Sequence, residues 1–121
     1  MGLSACLSLG LTTRALNDAG QLLTENYSGT GTLVPLGVSA SYDAYLRRQT
    51  VGSLINGGTL TSTTYLYDYA SRLAYVGDGT YSANYAYVPN SSLVDTVTLK
   101  QGTTTWMTTG ANLITWDASR V

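Results

Sequence analysis

Polar and apolar residues alternate over several stretches of this chain, as they do in β-strands that have one covered face. The clearest stretch is residues 61–69, where every second residue is Thr or Tyr. One face would carry Thr63, Tyr65, Tyr67 and Tyr69, and the other would carry Ser62, Thr64, Leu66 and Asp68. The alternation predicts a strand with a row of tyrosines on one side.

Turn signals rich in glycine separate these stretches. Asn56-Gly57-Gly58 suits a tight hairpin turn, because Asn and Gly tolerate the positive φ that such turns need. Residues 28–31, 77–79 and 100–102 are predicted to turn the chain in the same way. The arms of the four hairpins would be residues 21–27 with 32–38, 51–55 with 60–66, 72–76 with 80–87, and 93–99 with 103–108. We therefore expect about eight strands, and residues 11–19 are the one stretch that could form a short helix.

The composition favours the same fold class. The chain of 121 residues has 10 Tyr, no Phe, 44% hydrophobic residues and only 11% charged residues. Tyr and Thr suit the pleated, half-buried surface of a sheet, whereas the helix-favouring Glu, Lys and Arg are scarce. We predict an all-β fold of antiparallel hairpins.

A phrase recurs along these hairpins. It consists of a Tyr-Asp pair, an Arg four residues after the Asp, and a Val eight residues after it. The two full copies are Tyr42, Asp43, Arg47 and Val51, and Tyr67, Asp68, Arg72 and Val76. Weaker copies occupy residues 16–22, 85–93 and 116–121, at steps of 20 to 29 residues. Such a period predicts a chain that stacks one supersecondary unit several times.

The phrase resembles that of the YD-repeat family, also called the Rhs-repeat family. The structural repeat motif would comprise Tyr42, Asp43, Arg47, Val51, Tyr65, Tyr67, Asp68, Arg72, Leu73, Val76, Tyr85, Tyr87 and Leu93, with Ser71 in place of the family's Gly. The resemblance implies β-hairpin repeats that form part of a β-sheet spiral, a solenoid-like shell segment. Residues 1–15 would be a poorly defined N-terminal segment, and residues 16–121 would form about four repeats, the last of them truncated.

The resemblance also implies a function. Proteins of this family are large secreted or bacterial cell-surface chains, and their repeats form a shell around a toxin or a scaffold in cell-surface contact. This chain has no room for a toxin, so we expect it to be a fragment of such a protein. The expected partners are neighbouring repeats of the same or a longer chain, including edge-to-edge self-association.

The phrase has a physical role that can be argued from its residues. A buried Tyr needs a partner for its hydroxyl, so stacked tyrosines could build a core with a polar edge. An Asp that begins a turn can accept backbone N–H bonds, and the Arg four residues later can pair with it. Leu73 and Val76 would pack under the following hairpin. The hypothesis is a structural staple repeated along the sheet.

An enzyme is not expected. The chain has no His, which removes the usual general base and the commonest metal ligand. Asp43, Asp68 and Asp78 could be imagined as a glycosidase pair or as calcium ligands, but Asp43 and Asp68 recur with the phrase and no Asp-x-Asp-x-Asp-Gly loop is present. We expect these carboxylates to form turns, with no catalytic residue, no cofactor and no metal.

The aromatic residues leave one alternative open. Tyr81, Trp106 and Trp116, with Tyr85 and Tyr87, could stack on sugar rings instead of packing between hairpins. The chain would then be a small carbohydrate- or protein-binding β module. An exposed row of three or more rings would favour this reading, whereas buried rings favour the scaffold.

Charge and hydropathy argue against a nucleic acid or a membrane as a partner of this chain. The net charge is −1 and the basic residues are scattered, so no basic stripe suits a nucleic acid. No stretch approaches the roughly 18 apolar residues that would cross a bilayer as a helix. Residues 3–6 resemble a lipoprotein cleavage box, but only two residues precede them. Cys6 is therefore expected to be a small apolar residue and not a lipid anchor.

Overall fold

The computed structural model describes residues 11–28 and 34–110, and the backbone of residues 113–116. The described residues form strands and turns and contain no helix. The strands are β1 (Leu11–Leu16), β2 (Leu22–Ser28), β3 (Leu36–Tyr42), β4 (Arg48–Ile55), β5 (Gly58–Tyr67), β6 (Leu73–Gly77), β7 (Tyr81–Tyr87), β8 (Val94–Gln101), β9 (Thr104–Gly110) and β10 (Leu113–Trp116). Their pairing is antiparallel, so the predicted all-β class is confirmed.

The chain divides into two units, Met1–Ser62 (unit 1) and Thr63–Val121 (unit 2). Unit 1 contains β1 to β4 and the first part of β5, and unit 2 contains the rest of β5 and β6 to β10. Within each unit, strands that are neighbours in the sheet are also neighbours in sequence. Each unit is therefore a run of consecutive hairpins, as the turn signals predict.

Two kinds of connection alternate along the chain. The copies of the phrase join β1 to β2 and β3 to β4 in unit 1, and β5 to β6 and β7 to β8 in unit 2. Because consecutive antiparallel strands reverse direction, the two phrase turns of each unit lie at the same end of its sheet. The predicted hairpin at Asn56 and Gly57 is present, with φ values of 51° and 76°.

The register gives each unit one apolar face. In unit 1, Tyr27 pairs with Leu36 and Leu36 with Ile55, while the other face carries the row Thr24, Ser39 and Gly52. In unit 2, one row of apolar partners crosses five strands: Tyr65, Val76, Ala83, Leu99 and Met107. Partners across an antiparallel pair project to the same side, so these rows define the apolar face of unit 1 and the apolar face of unit 2.

The expected core of stacked tyrosines is not present. No hydrophobic side chain of the described residues is buried, and the buried residues among them are Gly52 and Gly77. The phrase tyrosines Tyr42, Tyr67 and Tyr87 are half-buried instead. A single layer of sheet covers neither of its own faces, so side chains on it can be shielded only by their neighbours in the same layer.

Three segments differ from what the sequence suggested. Residues 11–16, in the one stretch that could have formed a short helix, form β1, because the β-branched Thr12 and Thr13 pair with β2 and Arg14 makes an ion pair with Glu25 at 2.9 Å. The described residues hold ten strands instead of about eight. Tyr69 does not continue the tyrosine row, because β5 ends at Tyr67 and Tyr69 projects fully exposed from the next turn.

Some expectations fall outside the described residues. They are the turn at residues 29–31, Cys6 and the lipoprotein-like segment, and residues 117–121 of the fifth copy of the phrase. Of the predicted N-terminal segment, residues 11–15 belong to β1, and residues 1–10 are not described.

Candidate functional site: the repeat turns and an aromatic groove

Three copies of the phrase form the same five-residue turn, here called the repeat turn, at residues 17–21, 43–47 and 68–72. The first residue of each turn donates its N–H to the carbonyl of the fifth at 2.9 Å, and the fourth donates to the carbonyl of the first at 2.9 to 3.0 Å. The strand register shifts at the same point in each hairpin, for example between Ser41 and Tyr42. This is a tight turn closed by a bulge, the usual geometry of three-residue hairpin loops.

The Asp of the phrase holds each turn together. Asp43 Oδ1 accepts N–H bonds from Tyr45 at 2.9 Å and Arg47 at 3.0 Å, and its Oδ2 accepts Arg47 Nε at 2.7 Å. Asp68 repeats the arrangement with Ala70 and Arg72, with Arg72 Nε at 2.7 Å from Oδ2. The predicted Asp–Arg contact is therefore present in both full copies.

These bonds favour the ionised carboxylates. The pKa of Asp43 lies below the ordinary value of 3.8, chiefly because the Arg47 side chain donates to it. The pKa of Asp68 is also lowered, chiefly by the backbone N–H of Arg72 and further by that residue's side chain. Burial opposes both shifts, but the hydrogen bonds outweigh it.

The first copy makes the same turn with uncharged side chains at its first and fifth positions. Asn17 Oδ1 accepts N–H bonds from Ala19 at 3.0 Å and Gln21 at 2.9 Å, and Asn17 Nδ2 donates to Gln21 Oε1 at 3.0 Å. An amide pair thus takes the place of the carboxylate and the guanidinium, although the first residue here donates the side-chain bond and the fifth accepts it. The turn needs an acceptor at its first position and a long polar side chain at its fifth, and it does not need an ion pair.

The fourth position of the repeat turn has a left-handed backbone. Gly20, Leu46 and Ser71 have φ values of 78°, 62° and 61°. Glycine adopts this conformation freely, whereas Leu and Ser are strained by it. Leu46 and Ser71 have the same offset from the Asp of their copies, so the Gly place of the phrase is the left-handed position of the turn.

The fourth copy departs from the pattern. Val88 stands where the other copies have Asp or Asn, and its N–H bonds to the carbonyl of Leu93 at 3.0 Å, so the turn is one residue longer. Asn90 takes the left-handed position with a φ of 58°. Leu93, assigned to the repeat motif from the sequence, stands in the Arg place and is 68% exposed.

Neighbouring repeat turns are joined by a reciprocal pair of side-chain bonds, here called the repeat latch. In unit 1, Gln21 Nε2 donates forward to the carbonyl of Leu46 at 2.8 Å. Tyr42 Oη donates back to the carbonyl of Leu22 at 2.9 Å. The fifth residue of one turn thus reaches the next turn, and the Tyr before that next turn reaches back.

The same latch recurs in unit 2. Arg72 Nη1 donates forward to the carbonyl of Ser91, and Tyr87 Oη donates back to the carbonyl of Leu73 at 2.6 Å. The Arg72 guanidinium also lies 4.4 Å from the centre of the Tyr87 ring, which adds a cation–π contact. Leu73, expected to pack under the next hairpin, contributes its carbonyl to this latch.

An aromatic groove lies on the apolar face of unit 2. Tyr81 and Trp106 meet edge to face, with ring centres 5.9 Å apart, beside a groove of about 410 Å³. Asp78, Ser82 and Lys100 also line it. Two of the three predicted binding aromatics are therefore adjacent, whereas the Trp116 side chain lies outside the described residues.

The carboxylate of Asp78 forms hydrogen bonds of its own in the turn between β6 and β7. Its Oδ1 accepts N–H bonds from Tyr81 at 2.7 Å and Thr80 at 2.9 Å, and the Tyr81 bond is the main reason that its pKa is lowered. Across the described ranges, no three Asp, Glu, His or Cys side chains gather as a metal site would require. No helix that could span a membrane occurs in that part of the chain either.

No protein-family model matches this chain, and no curated protein matches it.

Proposed function

We propose that this chain is a structural repeat segment of the YD-repeat type, part of a shell or scaffold in a larger secreted or bacterial cell-surface protein. The observation that carries the proposal is the repeat latch, which recurs with the phrase in both units. The Tyr, Asp and Arg of the phrase are used to build turns and to tie one turn to the next. In a scaffold, the most regular residues are expected to serve this purpose.

The proposed assembly is a β-sheet spiral that grows by two strands with each repeat. Each latch supplies one forward and one backward hydrogen bond, so every added repeat is held to its predecessor in the same way. Further repeats would extend the sheet through its edge strands, and edge-to-edge self-association of the isolated chain is expected from the same geometry.

The test is to read the coding sequence on both sides of the segment that encodes these residues. Further Tyr-Asp phrases in frame, with Arg four residues after the Asp, are the expected result. Flanking sequence that codes for unrelated domains, with no further phrase, would overturn the scaffold proposal.

A second candidate function is supported by the aromatic groove of unit 2. Tyr81 and Trp106 offer ring faces and edges beside Asp78, Ser82 and Lys100, a mixture that suits the apolar and hydroxyl-bearing sides of a sugar ring. A carbohydrate-binding β module would show quenching or a shift of Trp fluorescence when oligosaccharides are added. That signal should disappear in Tyr81→Ala and persist in Tyr27→Ala, whose ring lies in unit 1.

A further inference from the structure

The apolar face of unit 1 forms a second groove, which the repeat turns do not use. The groove has a volume of about 480 Å³ and is lined by Glu25, Tyr27, Leu36, Val38, Ser53 and Leu60. Four of its apolar side chains, Tyr27, Leu36, Val38 and Leu60, are between 43% and 64% exposed. Soluble monomers rarely leave a contiguous apolar surface of this kind uncovered unless it meets another surface.

The charges at this groove limit what can cover it. Glu25 is its one charged lining residue, and Arg14 Nε lies 2.9 Å from Glu25 Oε2. The carboxylate therefore already has a partner on the neighbouring strand. A surface that closes over the groove needs no compensating charge, and an unpaired charge on that surface would be costly to bury.

We propose that the apolar face of unit 1 binds the same face of a second copy of this chain, so that two sheets stack as a sandwich. The occupant must be apolar and free of unpaired charge, and an identical face meets both requirements. The opposite face of the same sheet, with its row of Thr24, Ser39 and Gly52, does not. A net charge of −1 opposes the approach of two copies only weakly.

The two-fold arrangement is self-complementary. Sheets in a sandwich lie about 10 Å apart with interdigitating side chains, and a symmetric dimer uses one patch twice. Leu36 and Val38 lie on β3, which has paired strands on both sides, so the contact would be centred away from the sheet edges. This distinguishes the proposed dimer from edge-to-edge pairing, and it stands or falls independently of the scaffold function.

The first experiment compares Val38→Lys with Thr13→Lys in the full chain. Val38 lies in the groove, whereas Thr13 is exposed and pairs with Asn26 on the opposite face. Light scattering after size exclusion, over a wide concentration range, should show a dimer for the wild type and Thr13→Lys. Val38→Lys should weaken dimerisation by at least about tenfold, as expected for a charge at the centre of an apolar contact.

The variant Leu60→Lys tests whether any loss of the dimer is caused by misfolding. Leu60 is 64% exposed in the described structure, so this variant should keep the wild-type circular dichroism spectrum and still weaken the dimer. A wild type that stays monomeric at every concentration would overturn the proposal. So would a dimer that neither lysine variant weakens.

Crosslinking distinguishes a dimer formed through the apolar face of unit 1 from one formed through the β1 edge of the sheet. In a Cys6→Ser background, Val38→Cys should form a covalent dimer with a short bismaleimide, and Thr13→Cys should not. Efficient crosslinking through position 13 alone would assign the contact to the β1 edge or the opposite face, and the sandwich would be wrong.

Discussion

The fourth residue of every repeat turn adopts the same left-handed backbone, although the residue type differs from copy to copy. Gly20 adopts it without strain, whereas Leu46 and Ser71 are held in it by the hydrogen bonds of the turn. The side chain of Leu46 is also 54% exposed, so it gains little packing in return. The turn chemistry at the first and fifth positions therefore determines the conformation at the fourth.

Replacing Leu46 or Ser71 with Gly should stabilise the fold. Relief of the left-handed strain outweighs the greater entropy of unfolded Gly, for a net gain of roughly 0.5 to 1 kcal/mol per site. Chemical denaturation should measure this as a higher midpoint with an unchanged slope. Leu66→Gly is the matched control, because Leu66 is exposed but lies in extended β5, and it should destabilise. A lower midpoint for Leu46→Gly would contradict the argument.

The Asp43 and Asp68 carboxylates should make the free energy of unfolding depend on pH. The pKa values of Asp43 and Asp68 are lowered in the folded chain, so folding favours their ionised forms. Their contribution is fully present above the unfolded pKa of about 4 and is lost as pH falls through the lower folded values. Thermal unfolding between neutral pH and pH 2 should show this loss.

The first repeat turn supplies the control for acid sensitivity. The combined change Asp43→Asn and Arg47→Gln converts the second turn into the amide form seen at Asn17 and Gln21. This variant should remain folded at neutral pH and lose less stability in acid than the wild type. An unchanged acid dependence would show that other groups are responsible.

At the scale of elements, glycine permits two strands to approach their neighbours closely. Gly52 and Gly77 each follow the Val of the phrase, and both are buried. A Cβ on Gly77 would lie 2.9 Å from the backbone carbonyl of Tyr81 and would also meet the Tyr75 hydroxyl. A Cβ on Gly52 would lie 3.0 Å from the carbonyl of Thr61. Backbone atoms cannot move aside as a side chain can, so these positions constrain the sheet.

Gly77→Ala is expected to destabilise the chain by about 1 to 3 kcal/mol, the usual cost of an overpacked site. Gly58→Ala is the matched control. It also lies in a strand, and the nearest atom to its Cβ would be 3.6 Å away. Equal stability of the two variants in urea denaturation would contradict the close approach.

The contribution of the repeat latch to stability can be tested by removing the tyrosine hydroxyls that donate its backward hydrogen bonds. Tyr42→Phe and Tyr87→Phe each delete one backward hydrogen bond and leave the ring in place. Each should cost about 1 kcal/mol, the typical net value of a hydrogen bond. Tyr69→Phe is the control because Tyr69 is fully exposed, and it should be neutral. If all three variants are equally stable, the latch does not contribute to stability.

At the scale of the whole molecule, the described residues bury no hydrophobic side chain. Their stability must come from strand pairing, turn hydrogen bonds and half-buried contacts on each apolar face. Each unit resembles one layer of a protein core, and its apolar face would gain most from contact with a second layer.

A chain of this kind should unfold with a small change in heat capacity. Exposure of apolar surface is the main source of that change, which is normally about 12 to 15 cal/mol/K per residue. Calorimetry of the Val38→Lys variant at low concentration should give a clearly smaller value. A normal value for this variant would indicate a buried core and contradict the open sheet.

The sequence by itself determined the local structure. The Tyr and Thr alternation, the Asn56-Gly57 turn and the recurring Asp and Arg were sufficient to predict antiparallel hairpins and the Asp–Arg contact. These features depend on residues within about ten positions of one another, where backbone preferences and short side chains decide the outcome. The sequence left a short helix possible over residues 11–19, because the strand β1 depends on its pairing with β2 and local residues do not reveal that pairing.

The tertiary structure alone decided how successive copies are joined. The forward bond from Gln21 to Leu46 and the backward bond from Tyr42 to Leu22 connect residues 25 and 20 positions apart. No periodicity reveals which carbonyl a tyrosine hydroxyl will reach, because this depends on strand register and on the bulge before each turn. Nor could alternation show that the tyrosines stay half-buried, since burial depends on a second layer and not on the strand itself.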